Sequence, residues 1–304
     1  MEDSVVATVP LRDGEKLNVI CIGRGAPVLL LHAFASRGDH WLANVLPLIH
    51  KFRFYLPDLR GFGKSHHASL ESRDVFATYA DDIEDILDYF GLDDVILGGV
   101  STGAFACLTY NQLYGFARVR KYLNIEHGAD SAHCPGKTNG IFREFQAEYF
   151  AEFHELLRIT GNQQQVPYWD LPSQHRMHLR DAVVAALCRS THQPWLRHII
   201  TAGAQLAEPL FIRYFLPIEH WPTYLTVMQA FMIGRDTRPA LPEIKVPTTI
   251  MMGRHSRFFS MEAQQELIAR IPQAELVVFE KSGHAPMLDQ PIQFQKAFTQ
   301  FLQR

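Results

Sequence analysis

The sequence is short of the features that mark a nucleic-acid binder, a membrane protein or a disulfide scaffold. Basic residues are not in excess: 29 lysines and arginines stand against 32 aspartates and glutamates, a formal net charge of -3. That balance leaves no electrostatic footprint for nucleic acid or for an anionic membrane. No apolar run approaches the roughly 18 uninterrupted residues of a membrane span. The cysteines, Cys21, Cys107, Cys134 and Cys188, are too scattered for metal spacing or a disulfide framework. His66 and His67 form a pair, and His175 and His178 are three apart, but neither pair has a third ligand at recognisable spacing, so no metal is expected. The segment Met1-Glu2-Asp3-Ser4 lacks the basic and then apolar stretches of a signal peptide, which makes the cytoplasm the expected address. Repeats and low-complexity stretches are lacking too.

What is present suits a globular chain with a large core. Of the 304 residues, 47% are hydrophobic, enough for one large domain or one domain carrying an insertion. Apolar runs bounded by turn residues predict strands over 17–22, 27–32, 52–56, 95–98 and 119–126. Helical spacing predicts helices over 41–49 and 75–90 and after residue 101. In the 75–90 helix, Asp81, Asp82, Glu84, Asp85 and Asp88 read as a solvated face rather than a metal site. From about residue 130 to 234 the strand signal gives way to amphipathic helical runs, over 141–159, 176–188, 195–206 and 224–233. Alternation then resumes with strands over 248–252 and 275–279 and helices over 261–271 and 292–302. Such an order predicts an α/β protein with a mostly parallel, doubly wound sheet. The expected organisation is a core of residues 1–129 and 235–304, with 130–234 as a helical cap over the carboxyl edge of the sheet, where such sheets bind ligands.

The densest motif is Gly99-Val100-Ser101-Thr102-Gly103, between the apolar run ending at Gly98 and the helix beginning near Phe105. Strand, glycine-flanked serine and helix together make a nucleophile elbow, in which the missing Cβ atoms permit a sharp reversal that lifts the serine Oγ clear. Three further segments stand in order around it: His32-Ala33-Phe34, Asp58-Leu59-Arg60-Gly61-Phe62-Gly63-Lys64-Ser65, and Ser282-Gly283-His284-Ala285-Pro286.

With these four motifs the chain resembles the α/β-hydrolases of the capped esterase, epoxide-hydrolase and dehalogenase type, over essentially its whole length apart from the details of the cap. The resemblance implies Ser101 as nucleophile and His284 as the base that takes its proton. It assigns the oxyanion hole to the backbone N–H groups of Phe34 and Thr102. Ala33 replaces the usual glycine and adds a Cβ to the oxyanion turn. His32 is expected to hold that loop by a hydrogen bond, Asp58 and Arg60 to pair and fix the neighbouring turn, and Asp289 to serve as a structural acid.

The triad acid is where the sequence departs from the family. The usual aspartate follows the strand before the penultimate helix, and here Ser256 stands in its place, in Met252-Gly253-Arg254-His255-Ser256. A serine cannot offset the charge of an imidazolium. Three readings stay open. Glu126, at the end of the strand after the elbow, takes the role and keeps the chain order serine, acid, histidine. Alternatively Asp130 reaches in from the start of the cap. Or the acid is lost, leaving a weak enzyme or a binding protein.

The expected function is a cytoplasmic serine hydrolase without cofactor, cleaving a small-to-medium hydrophobic carboxylic ester, thioester or lactone through an acyl-Ser101 intermediate. An aromatic cap, including Phe142, Phe153, Tyr224 and Phe231, points to an apolar substrate. Acyl transfer to another acceptor, cofactor-independent oxygenation and a catalytically weakened ligand receptor are the alternatives. The only partner implied is the substrate itself: no nucleic acid, no membrane span, and a monomer or homodimer.

Overall fold

Strand-forming runs assemble into one eight-stranded sheet. In this computed structural model, which describes residues 4–70, 74–132, 140–215 and 221–304, the strands are β1 (Ser4–Pro10), β2 (Lys16–Gly23), β3 (Ala26–Leu31), β4 (Phe52–Pro57), β5 (Val95–Val100), β6 (Val119–Ile125), β7 (Thr248–Gly253) and β8 (Ala274–Phe279). Their order across the sheet is β1-β2-β4-β3-β5-β6-β7-β8. The β1/β2 and β2/β4 pairs are antiparallel and all others parallel. Central strands β5 and β7 are buried at every residue, as a parallel sheet covered on both faces requires. Strand β1, not anticipated from the sequence, buries only Val9. One inward residue leaves no alternation to read.

Side chains alternate between two cores. Leu29, Leu31 and Leu97 face one, and Val28, Leu30 and Ile96 the other. The second core is closed by Trp41, Phe294 and Phe298. The expected helix over 41–49 is a chain of short pieces, 3-10 turns on either side of α1 (Leu42–Val45), with Pro47 in the second turn. Helix α2 (Val75–Phe90) starts where the Asp74 side chain accepts from Ala77 N at 2.9 Å and stops at left-handed Gly91. Helix α3 (Thr102–Tyr114) follows β5 directly.

Between β6 and β7 lie α4 (Gln146–Thr160), α5 (Ser173–Ser190), α6 (Pro194–Leu206), α7 (Glu208–Phe215) and α8 (Trp221–Ile233). The helix expected from 141 begins later, because Phe142 and Arg143 take left-handed φ of 68° and 55° and break the run. The segment from α9 (Met261–Arg270) through α10 (Pro286–Asp289) to α11 (Pro291–Gln303) completes the fold.

Two expectations about charge are corrected. Asp58 and Arg60 do not pair with each other. The Asp58 carboxylate accepts from Gly38 N at 2.7 Å, Lys64 N at 2.9 Å and Asn18 Nδ2 at 3.0 Å. Arg60 turns to Asp82 instead, donating through Nε (3.2 Å) and Nη2 (2.6 Å), with Asp13 at 2.6 Å from Nη1. Asp82 therefore does not belong to the solvated face of α2: it is 2% exposed, and Arg60 is 3% exposed. Helical spacing cannot tell a solvated aspartate from one buried by an arginine that arrives from another part of the chain. Arg60→Ala leaves the Asp82 charge buried and unpaired, and should cost about 3–5 kcal/mol in urea denaturation. Adding Asp82→Leu to it should return much of that loss.

Candidate active site

At the end of β5 the chain reverses on Ser101, whose φ of 50° and ψ of -115° are rare for any residue but glycine. Strain of this kind costs about 1–3 kcal/mol and persists where neighbours over-determine it. Here Ser101 N donates to Ile125 O at 2.8 Å, and Ser101 O accepts the first helical bond of α3 from Phe105 N at 3.0 Å. A Cβ on Gly99 would come within 2.3 Å of Gly103 C, so the strand and helix approach too closely for any side chain there.

Thr102 is the first residue of α3, so its N–H has no intrahelical carbonyl to bond. Phe34 lies three residues past β3. The loop carrying it is tied down by His32, whose Nδ1 donates to Ala33 O at 2.7 Å while Nε2 accepts from Leu59 N at 2.8 Å. The left-handed residue of this turn is Ala35, with φ of 55°, and not Ala33.

His284 sits between two partners. Its Nε2 lies 3.0 Å from Ser101 Oγ and its Nδ1 2.8 Å from Glu126 Oε2. A carboxylate accepts, so Nδ1 carries the proton and Nε2 is left to accept from the serine hydroxyl. The imidazole stacks on Phe258, ring centroids 4.0 Å apart. Its loop is held by Asp289, which accepts from Gly283 N (2.7 Å), His192 N (2.8 Å) and the Thr191 hydroxyl.

Glu126 is fully buried and has a left-handed φ of 59°. Gly253 N donates to its Oε1, and Ser256 Oγ donates to its Oε2 at 2.8 Å. Ser256 Oγ in turn accepts long bonds from Phe258 N (3.3 Å) and Phe259 N (3.4 Å). From sequence, Ser256 reads only as a lost charge. Its hydroxyl is a donor to the carboxylate that stands beside the histidine. The signal available beforehand was its chemistry: serine keeps a polar atom where an apolar replacement would not. Asp130 is engaged elsewhere, 3.1 Å from Arg238 Nη1 and bridged through its backbone to Asp236. Its pKa is pushed up to about 7 by burial and by the Asp236 carboxylate.

A cavity of about 140 Å³ opens at Ser101, lined mainly by apolar residues of the β6–β7 helical segment, among them Phe142, Phe153, Leu156, Leu225 and Phe231. The charged residues in its wall offset one another: Arg189 donates to Glu152 Oε2 at 2.8 Å, with its guanidinium 3.8 Å from the Tyr149 ring centre.

A strained serine, a histidine and a buried carboxylate, hydrogen-bonded in series at the carboxyl edge of a doubly wound sheet, define the class as an α/β protein with a serine–histidine–carboxylate array. Residues 26–291 match the alpha/beta hydrolase fold. The chain belongs to that family. Among curated relatives it is 26% identical over 284 residues to the AB hydrolase superfamily protein YisY of Bacillus subtilis (strain 168), covering 92% of each chain. It is 22% identical over 273 residues to a pimeloyl-[acyl-carrier protein] methyl ester esterase of Vibrio vulnificus (strain YJ016), covering 90% of this chain and 92% of that one. Among solved structures, an esterase from Exiguobacterium antarcticum shares the fold with a TM-score of 0.78 at 22% identity, over 99% of this chain and 100% of that one.

Two buried imidazoles beside the site set a pH dependence. Burial lowers the pKa of His32 and of His127 from 6.5 to about 3. As pH falls from about 6.5 towards 3 the unfolded chain binds protons that the folded chain refuses, so the stability these groups contribute is lost across that window. His127→Phe should therefore lose less stability than the parent between pH 7 and pH 5, measured by urea denaturation at both.

Proposed function

We propose that the protein is a serine hydrolase that cleaves a small-to-medium hydrophobic carboxylic ester through an acyl-Ser101 intermediate. The observation that carries this reading is the unbroken series Ser101 Oγ, His284 and Glu126, with separations of 3.0 and 2.8 Å. Ser101 Oγ attacks the ester carbonyl while His284 Nε2 takes its proton. Glu126 holds the Nδ1 tautomer and offsets the imidazolium charge. The N–H groups of Phe34 and Thr102 receive the developing oxyanion. Collapse expels the alcohol, which leaves with the proton from His284, and water then attacks the acyl-enzyme with His284 as base. Residues 130–234 form the cap that shields these steps, and the apolar cavity takes the acyl chain. No step requires a cofactor. The esterase names of the relatives agree with this class of reaction.

Ser101→Ala should lower ester turnover by several orders of magnitude with the fold intact, as read by kcat and by circular dichroism. Glu126→Gln should lower kcat by about 10²–10⁴-fold through a wrong tautomer and a lost counter-charge, and Ser256→Ala by less than about tenfold. Near-normal kcat in Glu126→Gln together with a severe loss in Asp130→Asn would move the acid to Asp130.

The cavity also makes a claim about chain length. Phe153→Ala should lower kcat/KM for octanoate esters more than for acetate esters of the same alcohol, since truncating an apolar side chain against the substrate weakens binding by about 1–3 kcal/mol. Equal losses on both would count against an acyl pocket beneath α4.

A further inference from the structure

Besides Ser101, the Arg189–Glu152 pair, the Tyr149 ring under Arg189 and the Trp221 indole, which donates to Val166 O at 2.9 Å, the cavity wall is apolar except at two residues. The hydroxyls of Thr102 and Tyr224 are both shielded from solvent, and neither has a hydrogen-bond partner among the described residues. Both residues line the cavity; Thr102 is 0% exposed and Tyr224 5%.

Other buried polar atoms, such as the Gln264 amide, also lack a partner, but among the described residues Thr102 and Tyr224 carry the buried hydroxyls that do. Four other buried tyrosines donate: Tyr79 to Arg60 O, Tyr110 to Glu84, Tyr122 to Ala104 O and Tyr168 to Glu208. Threonines within helices bond the carbonyl four residues back, as Thr109 does to Phe105 O at 3.0 Å and Thr160 to Leu156 O at 2.7 Å. Thr102 has no such outlet, because the residue four before it, Gly98, is in β5. A buried hydroxyl without a partner costs about 1–3 kcal/mol, more than its absence would. Phenylalanine and valine would fill the same space without that cost, so the two hydroxyls make sense where a ligand completes them.

Their place says what kind of ligand. Thr102 directly follows Ser101. The Tyr224 ring stands edge-on to Phe34, centroids 5.2 Å apart, and Phe34 and Thr102 carry the two N–H groups assigned to the oxyanion. Both residues thus belong to the Ser101 end of the cavity, beside the two residues assigned to the oxyanion. Resting on the acyl-Ser101 reading, we propose that Tyr224 and Thr102 donate to a second oxygen on the acyl group, one or two atoms from the scissile carbonyl. The substrate is then an oxygenated ester, bearing an oxo, hydroxyl or ether oxygen at that position, and not a plain alkanoate.

The test uses two isosteric substrates. p-Nitrophenyl methoxyacetate differs from p-nitrophenyl butanoate by one oxygen in place of one methylene, two atoms from the carbonyl. In Tyr224→Phe the ratio of kcat/KM for methoxyacetate over butanoate should fall at least tenfold from its parental value, and in Thr102→Val it should fall in the same direction. Comparing each variant with the parent cancels the intrinsic reactivity of the two esters. The melting temperature of Tyr224→Phe should be equal to or above that of the parent, because no bond is lost. An unchanged ratio in both variants, as when water alone serves these hydroxyls, overturns the proposal. So does a lowered melting temperature with an unchanged ratio, which would reveal a structural bond. Turnover of both esters surviving in Ser101→Ala would instead overturn the acyl-serine reading, independently of the ratio.

Discussion

A carboxylate with no exposed surface is the constraint on which the site depends. A charge taken out of water is tolerated only when fixed donors replace its hydration, and Glu126 has three: Gly253 N, Ser256 Oγ and His284 Nδ1. They come from the ends of β7 and β8, while Glu126 itself ends β6. One buried group thus ties together the carboxyl ends of three neighbouring strands. It also sets the histidine tautomer, because a proton held on Nδ1 frees Nε2 to face Ser101. The close approach this needs leaves no room at Gly253, where a Cβ would lie 1.9 Å from Gly283 O.

Strain is concentrated at the same edge. Ser101 and Glu126 both take positive φ, and each is held by the end of a neighbouring strand: Ser101 N on Ile125 O, Glu126 N on Met251 O at 2.9 Å. The backbone bonds of β6 to its two neighbours therefore keep Ser101 and Glu126 in conformations neither residue would choose alone. Preorganisation of this kind is how a static scaffold holds reacting groups within hydrogen-bond reach. The helical segment between β6 and β7 contributes differently, through apolar side chains that line the cavity and through the 190–192 stretch that Asp289 fastens to the histidine loop.

Residues that sit in a local pattern or a recognisable motif were legible; those whose role depends on a distant partner outside any motif were not. The elbow is local: two glycines, a strand before and a helix after. His32 was read from its motif, although its ring also reaches Leu59 N, 27 residues on. Asp82 looks like any aspartate on a polar helix face until Arg60, 22 residues earlier in the chain, covers it. Ser256 looks like a deletion of charge until a carboxylate 130 residues away arrives beside it. Strand β1 escaped notice for a simpler reason, since it buries only Val9 and carries no apolar alternation.

The sequence by itself determined the alternation of strands and helices, the mostly parallel sheet, the place of Ser101 at a sharp turn and of His284 after the last strand. Each of these follows from periodicity, glycine placement and motif order, which are written along the chain. It favoured Glu126 over Asp130 or a lost acid but did not decide between them, because both carboxylates satisfy the same order along the chain. Only the tertiary structure decided which carboxyl group stands 2.8 Å from His284 Nδ1. It did so through packing that no local pattern encodes: Arg238 draws Asp130 away, while the strand ends of β6 and β7 bring Glu126 into the position from which Ser256 and Gly253 can hold it.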